Sequence, residues 1–154
     1  MCFRAVSVDA PPEVAYRWLC QLRVAPYSYD LLDNAGRQSP QHLVPGLDQL
    51  EIGQRFMTIF KLVDFEPNKQ VTLLSRGVGT FGRAAVTYAV MPRPDGRSRI
   101  IAKLRWDLRV SRTALGRLLR VEGAVLFGDL VMMRRQLLNL KRLAESSRPR
   151  LDGF

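Results

Sequence analysis

One long amphipathic helix, predicted over residues 113–146, is the feature that most constrains the fold of this chain. No proline interrupts the range, and apolar residues recur in it at steps of three and four, which places them on one helix face. These residues are Leu115, Leu119, Leu126, Leu130, Met133, Leu137, Leu140 and Ala144. A helix with so long an apolar face needs an extended apolar surface to pack against.

A row of polar residues borders this apolar face. Glu122, Asp129 and Gln136 are seven residues apart and therefore lie above one another along the helix. A helix that packs only against apolar core has no use for such a row, because buried polar groups need hydrogen-bond partners. The row indicates a partly polar cavity beside the helix.

Most of the preceding sequence predicts strands. The clearest, over 98–110, has Ile100, Ala102 and Leu104 alternating with mostly charged residues, so one face is buried and the other cationic. The other predicted strands cover 3–8, 56–65, 70–76 and 83–91. A helix that begins around Pro12 and a second short helix over 27–32 follow the first strand, and 38–54 is predicted to be a long loop with at most one short strand.

This order of elements predicts an α+β fold. A half-polar antiparallel sheet needs a helix across its apolar face, and the C-terminal helix is the one long enough. We therefore expect a curved antiparallel sheet wrapped around that helix, with two short helices after the first strand. The domain should cover residues 1–146, followed by a flexible tail over 147–154.

The composition is that of an ordinary soluble domain, with 47% hydrophobic and 25% charged residues in 154. Because no apolar run is long enough for a membrane span and no signal peptide is predicted, we expect a cytoplasmic protein. Cys2 and Cys20 have no metal-binding spacing, and His42 is the one histidine, in a loop-like stretch. We therefore predict no metal ion and no cofactor, and a catalytic His42 is disfavoured.

A GxGxxG motif at 77–82 matches the dinucleotide-binding fingerprint, which requires a helix directly after it. The residues that follow, RAAVTYAVMP, are typical of a strand. The motif therefore indicates a glycine-rich loop between strands.

The net charge of +10 is compatible with nucleic-acid binding. The arginines are scattered, with no run longer than two, and aromatic residues are not interleaved with them. We predict no specific nucleic-acid binding. The alternative is a non-catalytic interaction module that uses the basic sheet face, formed by Arg99, Lys103, Arg105 and Arg109.

The predicted layout resembles the SRPBCC superfamily of START and birch-pollen-allergen-like helix-grip proteins, and within it the bacterial polyketide cyclase/dehydrase-type group. The resemblance rests on VSVDAPPEVAYRWL after the first strand, APYSYDLLDN, and GDLVMMRRQLLNLKRLAE at the end, in that order. It implies a deep, mostly apolar cavity between sheet and C-terminal helix. Members bind lipids, sterols or polyketides, and some catalyse cyclisation or dehydration.

We therefore predict that the chain binds a hydrophobic or amphipathic small molecule, lipid-like or polyketide-like, in this cavity. Methionines there adapt to irregular apolar ligands, and tyrosines offer both a ring and a hydroxyl. The predicted ligand-binding residues are Tyr27, Tyr29, Asp30, Phe56, Trp106, Glu122, Asp129, Met132, Met133, Gln136 and Leu137.

Two further hypotheses stay open. The chain could be a cyclase, aromatase or dehydratase, with Asp129, Glu122 or a tyrosine in the pocket as general acid or base. Asp129 could take this role if burial raises its pKa. The competing interpretation of Asp129 is an ion pair with Arg76 or Arg83, or simple exposure. Separately, apolar residues on the otherwise polar helix side could form a homodimer interface. These residues are Phe127, Val131 and Leu138.

Overall fold

One antiparallel sheet is the scaffold of the molecule. The computed structural model describes residues 1–28, 35–75, 83–107 and 115–147, and it describes their side chains except those of 106–107 and 115–130. The strands are β1 (Cys2–Val8), β2 (Arg55–Phe56), β3 (Phe60–Glu66), β4 (Gln70–Ser75), β5 (Arg83–Pro92) and β6 (Ser98–Asp107). The helices in this part of the chain are α1 (Pro12–Cys20), a short 3-10 helix (Gln21–Arg23) and α2 (Leu115–Ser146).

The strand order is β1-β6-β5-β4-β3-β2, and every neighbouring pair is antiparallel. The first strand therefore lies beside the last, while the other strands follow one another as hairpins. With α2 across one face, this arrangement confirms the predicted α+β fold, a curved sheet that holds a C-terminal helix.

The inner face of the sheet is apolar, as the alternation in β6 predicts. Ile100, Ala102 and Leu104 are buried, whereas Arg99 and Lys103 between and beside them are exposed. β5 repeats the pattern and buries Val86, Tyr88 and Val90 on the same face. Since β5 follows residues 77–82 directly as a strand, the helix that a dinucleotide fingerprint requires is absent there. Residues 77–82 themselves lie outside the described residues.

The first helix starts with Pro12 in its first turn and has Glu13 near its positive dipole end, as its sequence predicts. It buries Trp18 and Leu19 completely. The predicted second helix is wrong at its start, because residues 26–28 are not helical, and from residue 29 to 32 it lies outside the described residues. A 3-10 helix follows α1 directly.

The described stretch 38–54 contains no strand and is held by side chains of the 3-10 helix. The side-chain amide of the buried Gln21 makes two hydrogen bonds with the backbone of Val44. Its Oε1 accepts from the Val44 N–H at 2.9 Å, and its Nε2 donates to the Val44 carbonyl at 3.3 Å. Arg23 donates to the carbonyls of Leu47 and Gln49 at 3.1 and 3.2 Å. These bonds anchor the loop to the 3-10 helix where no strand pairing does so.

The prediction of one strand over 56–65 is wrong, because the chain reverses there between β2 and β3. Met57 and Thr58 adopt φ values of +44° and +66°, which non-glycine residues rarely do. The Met57 N–H donates to the Leu22 carbonyl at 2.9 Å, and the Ile59 N–H donates to the Met57 carbonyl at 2.7 Å. Tertiary and turn hydrogen bonds therefore stabilise a conformation that the local sequence does not favour.

The C-terminal helix packs its apolar face onto the sheet and α1. Leu140, Leu143 and Ala144 are buried, whereas Arg134 and Arg142 are exposed. Its last turns are fixed to the end of β1, where Lys141 donates to the Ser7 carbonyl at 2.9 Å and pairs with Glu145. No helix in the described ranges combines the length and apolarity that crossing a membrane requires. Of the predicted tail, residues 148–154 lie outside the description.

Candidate functional site

A cavity of about 180 Å³ lies between the sheet, α2 and two connecting segments. Its lining residues are Val86, Tyr88 and Leu104 from the sheet, Met132, Met133 and Gln136 from α2, Met57, Ile59 and Phe60 from the β2–β3 reversal, and Pro26 and Ser28. Ile59 is about half exposed, which places the mouth of the cavity at this reversal.

The cavity is mostly apolar. Three of its lining residues are methionines, whose unbranched side chains adapt to ligands of irregular shape. The polar contributions come from Ser28, Tyr88 and Gln136, and the described lining side chains include no Asp, Glu, His, Lys, Arg or Cys. Such a lining favours an uncharged ligand, because a charge in this surrounding would lose its hydration without gaining a counter-ion.

Gln136 is the polar centre of the site and is buried. Its Oε1 accepts a hydrogen bond from the Tyr88 hydroxyl at 2.5 Å, and its Nε2 donates to the Pro26 carbonyl at 2.6 Å. The same Nε2 lies 3.1 Å from the Met57 sulfur. One amide thus joins α2 to β5, to the segment after the 3-10 helix and to the β2–β3 reversal.

A second side-chain amide on α2, that of Asn139, binds the carbonyl of the residue after Pro26. Asn139, one turn after Gln136, donates to the Tyr27 carbonyl at 2.9 Å. Tyr27 has a φ of +55°, and its buried ring meets Trp18 edge-on, with centroids 5.9 Å apart. The two amides and the ring contact position residues 26–28 as one wall of the cavity.

The structure brings three of the predicted ligand-binding residues to the cavity, namely Met132, Met133 and Gln136. Tyr27, Phe56 and Leu137 are buried in the surrounding core but are not among its lining residues. Tyr29 and Asp30 lie outside the described residues, and so do the side chains of Trp106, Glu122 and Asp129. The proposed ion-pair partner Arg76 is likewise outside the description.

The other eight lining residues were missed at the sequence level, among them three from the sheet and two from the β2–β3 reversal. Val86, Tyr88 and Leu104 could have been found from strand alternation, because Tyr88 shares the inward parity of the apolar Val86 and Val90. Met57 and Ile59 carry no such signal. They reach the cavity through a chain reversal that was predicted to be continuous strand.

A buried thiol lies elsewhere, between α1 and the 38–54 loop. Cys20 is fully buried, and burial, with a smaller contribution from the Asp48 charge, raises its pKa to about 12. Burial also raises the pKa of its neighbour Tyr16, as do the charge of Cys20 and a hydrogen bond with it. Neither residue lines the cavity, and both stay neutral at physiological pH, so this pair has the character of structural core.

Comparison with known proteins identifies the fold. No protein-family model and no curated protein matches the sequence. Among solved structures, TTHA0849 from Thermus thermophilus is similar at a TM-score of 0.55 with 16% identity, over 96% of this chain and 98% of that one. Protein MLL2253 from Mesorhizobium loti is similar at 0.53 with 18% identity, over 96% of this chain and all of that one.

A third similar structure is CV1439 from Chromobacterium violaceum, at a TM-score of 0.54 with 14% identity, over 94% of this chain and 96% of that one. At identities this low the similarity shows the fold alone. It extends over nearly the whole chain, so this sheet-and-helix architecture is one that other bacterial proteins also adopt.

Proposed function

We propose that the chain binds a small, uncharged, apolar or amphipathic molecule in the cavity between the sheet and α2. The observation that carries this proposal is the cavity itself, about 180 Å³ with an apolar lining whose central polar groups already bond to one another. The resemblance to the SRPBCC helix-grip proteins, which hold their ligands between the sheet and the C-terminal helix, supports it.

Burial of apolar surface favours an occupied cavity. The cavity opens at Ile59, so its apolar lining is accessible to solvent, and an apolar ligand would remove that surface from water without hydrogen bonds of its own. The Tyr88–Gln136–Pro26 chain keeps the polar groups satisfied whether or not a ligand is bound.

The size of the cavity narrows the ligand class. An engineered apolar cavity of about 150 Å³ binds benzene. The present cavity therefore fits one ring or two fused rings, the small end of the lipid-like and polyketide-like range. A longer lipid or multi-ring polyketide would have to extend past Ile59 at the mouth.

Binding is favoured over catalysis by the chemistry of the described lining. Acid–base chemistry needs a titratable group within hydrogen-bond reach of the ligand, and among the described lining side chains Tyr88 is the one titratable group, already donating to Gln136. The cyclase or dehydratase hypothesis depends on Asp129, Glu122 or a tyrosine as the acid or base, and the side chains of Asp129 and Glu122 lie outside the description.

Fluorescence titration of the purified chain with 2-naphthol, and calorimetric titration with indole and naphthalene, test the proposal. We expect saturable one-to-one binding with dissociation constants in the micromolar range. Native mass spectrometry of freshly purified protein should also show an uncharged co-purified molecule. No saturable binding of any of these three probes up to their solubility limits would contradict the proposal.

A further inference from the structure

Cationic side chains are concentrated on the outer face of the sheet, opposite the cavity. Arg99, Lys103 and Arg105 alternate with the buried residues of β6 and therefore point away from α2, and all three are exposed. Arg93, in the β5–β6 hairpin, joins them, because its Nη1 donates to the Ser7 Oγ at 3.4 Å and Ser7 pairs with Arg99. These four residues form the basic face in the described part of the chain, and Arg109, which the sequence assigned to this face, lies outside the described residues.

The cations of the basic face have no acidic partner among the described residues. Some cations elsewhere on the surface do pair with carboxylates, as Arg17 does with Asp48, Arg97 with Asp9 and Lys141 with Glu145. Lys103 instead lies over the Phe3 ring, with its Nζ 5.7 Å from the centroid. From Arg99 to Arg105 the row is about 20 Å long, at about 3.3 Å per strand residue.

Exposed apolar side chains flank the cations on both neighbouring strands. Phe3 on β1 pairs with Lys103 and is 52% exposed, and Met91 on β5 pairs with Arg99 and is 53% exposed. Exposed apolar side chains beside cations that have no acidic partner among the described residues suit an anionic lipid interface, where the charges meet headgroups and the apolar groups enter the acyl boundary.

We propose that the basic face docks the protein on an anionic phospholipid surface, with Phe3 and Met91 inserting between the headgroups. A single-stranded nucleic acid fits this face less well. Base stacking needs successive aromatic platforms, and Phe3 is the one aromatic side chain described on this side of the sheet. A lipid surface does not require base stacking, and Phe3, Met91 and the cations of the basic face suit it.

Vesicle co-sedimentation of the full-length chain tests the proposal. Vesicles of phosphatidylcholine alone are compared with vesicles that contain about one third phosphatidylglycerol, at about 0.15 M salt. We expect binding to the anionic vesicles only, and a steep loss as salt rises. The triple variant R99Q/K103Q/R105Q should bind on the order of 100-fold more weakly, since each cation near such a surface contributes a factor of about five.

A matched control distinguishes the effect of the basic face from the effect of the overall net charge. The variant R17Q/R134Q/R142Q removes the same net charge from exposed helix positions and should retain binding within about threefold. The variant F3S should weaken vesicle binding without changing the charge. Circular dichroism and thermal melting confirm that each variant is folded.

Three results would overturn the proposal. Equal loss of binding in the two triple variants would show attraction by net charge alone. Tight binding of single-stranded oligonucleotides without vesicle binding would assign the face to nucleic acid. Equal binding to neutral and anionic vesicles would show that the cations play no part.

Discussion

The hydroxyl of Tyr88 on β5 donates a hydrogen bond of 2.5 Å to the Oε1 of Gln136 on α2, across 48 residues of sequence. Both side chains are buried and both line the cavity, so this bond fixes the separation between helix and sheet at the site. The amide's other end holds the Pro26 carbonyl, which makes the position of the 26–28 wall depend on the same residue.

The variants Y88F and Q136M should each lower the free energy of unfolding by about 1–3 kcal/mol, because Y88F removes the donor to the buried Gln136 Oε1 and Q136M removes the donor to the Pro26 carbonyl. The double variant should cost clearly less than the sum of the two, since both partners of the bond are then gone. Urea denaturation of all four proteins measures this coupling. Strict additivity would show that the bond contributes nothing in solution.

The variant V86F should fill the cavity and abolish binding of 2-naphthol while changing stability little, because the added ring enters existing space. Val90 is buried on the same strand and face but does not line the cavity, so V90F should overpack the core and cost about 1–3 kcal/mol. Thermal melting and ligand titration of both variants are the measurements. A V86F protein that is as unstable as V90F and still binds would contradict the position of the cavity.

Glu145 should contribute a pH-dependent share of stability. Burial alone would raise its pKa, but hydrogen bonds from Lys141 and the Asp9 N–H, with the Lys141 charge, outweigh burial and lower the pKa below its usual 4.5. Because the folded pKa is lowered, the contribution is fully present above about pH 4.5 and is lost as pH falls through the folded value.

The variant E145Q should therefore be less stable than the natural sequence at pH 7, and the difference should shrink as the pH falls below 4.5. The free energy of unfolding from urea melts between pH 3 and pH 7, in steps of about half a unit, measures this. The exposed Glu51 gives a control, E51Q, for which we expect no comparable difference. A stability difference that is constant over this range would rule out the predicted linkage.

The two cysteines should differ in reactivity. Cys20 is fully buried with its pKa raised to about 12, whereas Cys2 is partly exposed. A thiol reagent at pH 8 should therefore label one cysteine in the folded protein and two in denaturant, since the thiolate is the reactive form. Peptide mapping should locate the fast label at Cys2, and rapid native labelling of Cys20 would show that α1 opens readily.

Self-association through α2 remains a prediction. Val131 and Leu138, seven residues apart on the same side of the helix, are 37% and 45% exposed, and the Phe127 side chain lies outside the description. As the protein concentration rises, light scattering should show the molecular mass increasing from 17.5 kDa toward that of two chains. The variant L138Q should suppress the rise and the matched surface variant I52Q should not. A chain that stays monomeric at all concentrations tested would contradict the predicted interface.

Local patterns in the sequence predicted the parts of the fold that depend on one element at a time. The alternation of Ile100, Ala102 and Leu104 with charged residues identified β6 and its buried face, because strand periodicity is set within the strand. The helical spacing of Met133, Leu137 and Leu140 did the same for α2, and placed Gln136 at the border of its buried face.

Contacts between distant residues decided the site. Whether Gln136 faced solvent or a cavity depended on Pro26, 110 residues earlier in the chain, and on Tyr88, and no local pattern encodes those partners. The reversal at Met57 and Thr58 occurs without a glycine, because the Leu22 carbonyl holds it from another element. Periodicity therefore determined which faces are buried, whereas the cavity and its walls arose from long-range hydrogen bonds that only the folded chain brings together.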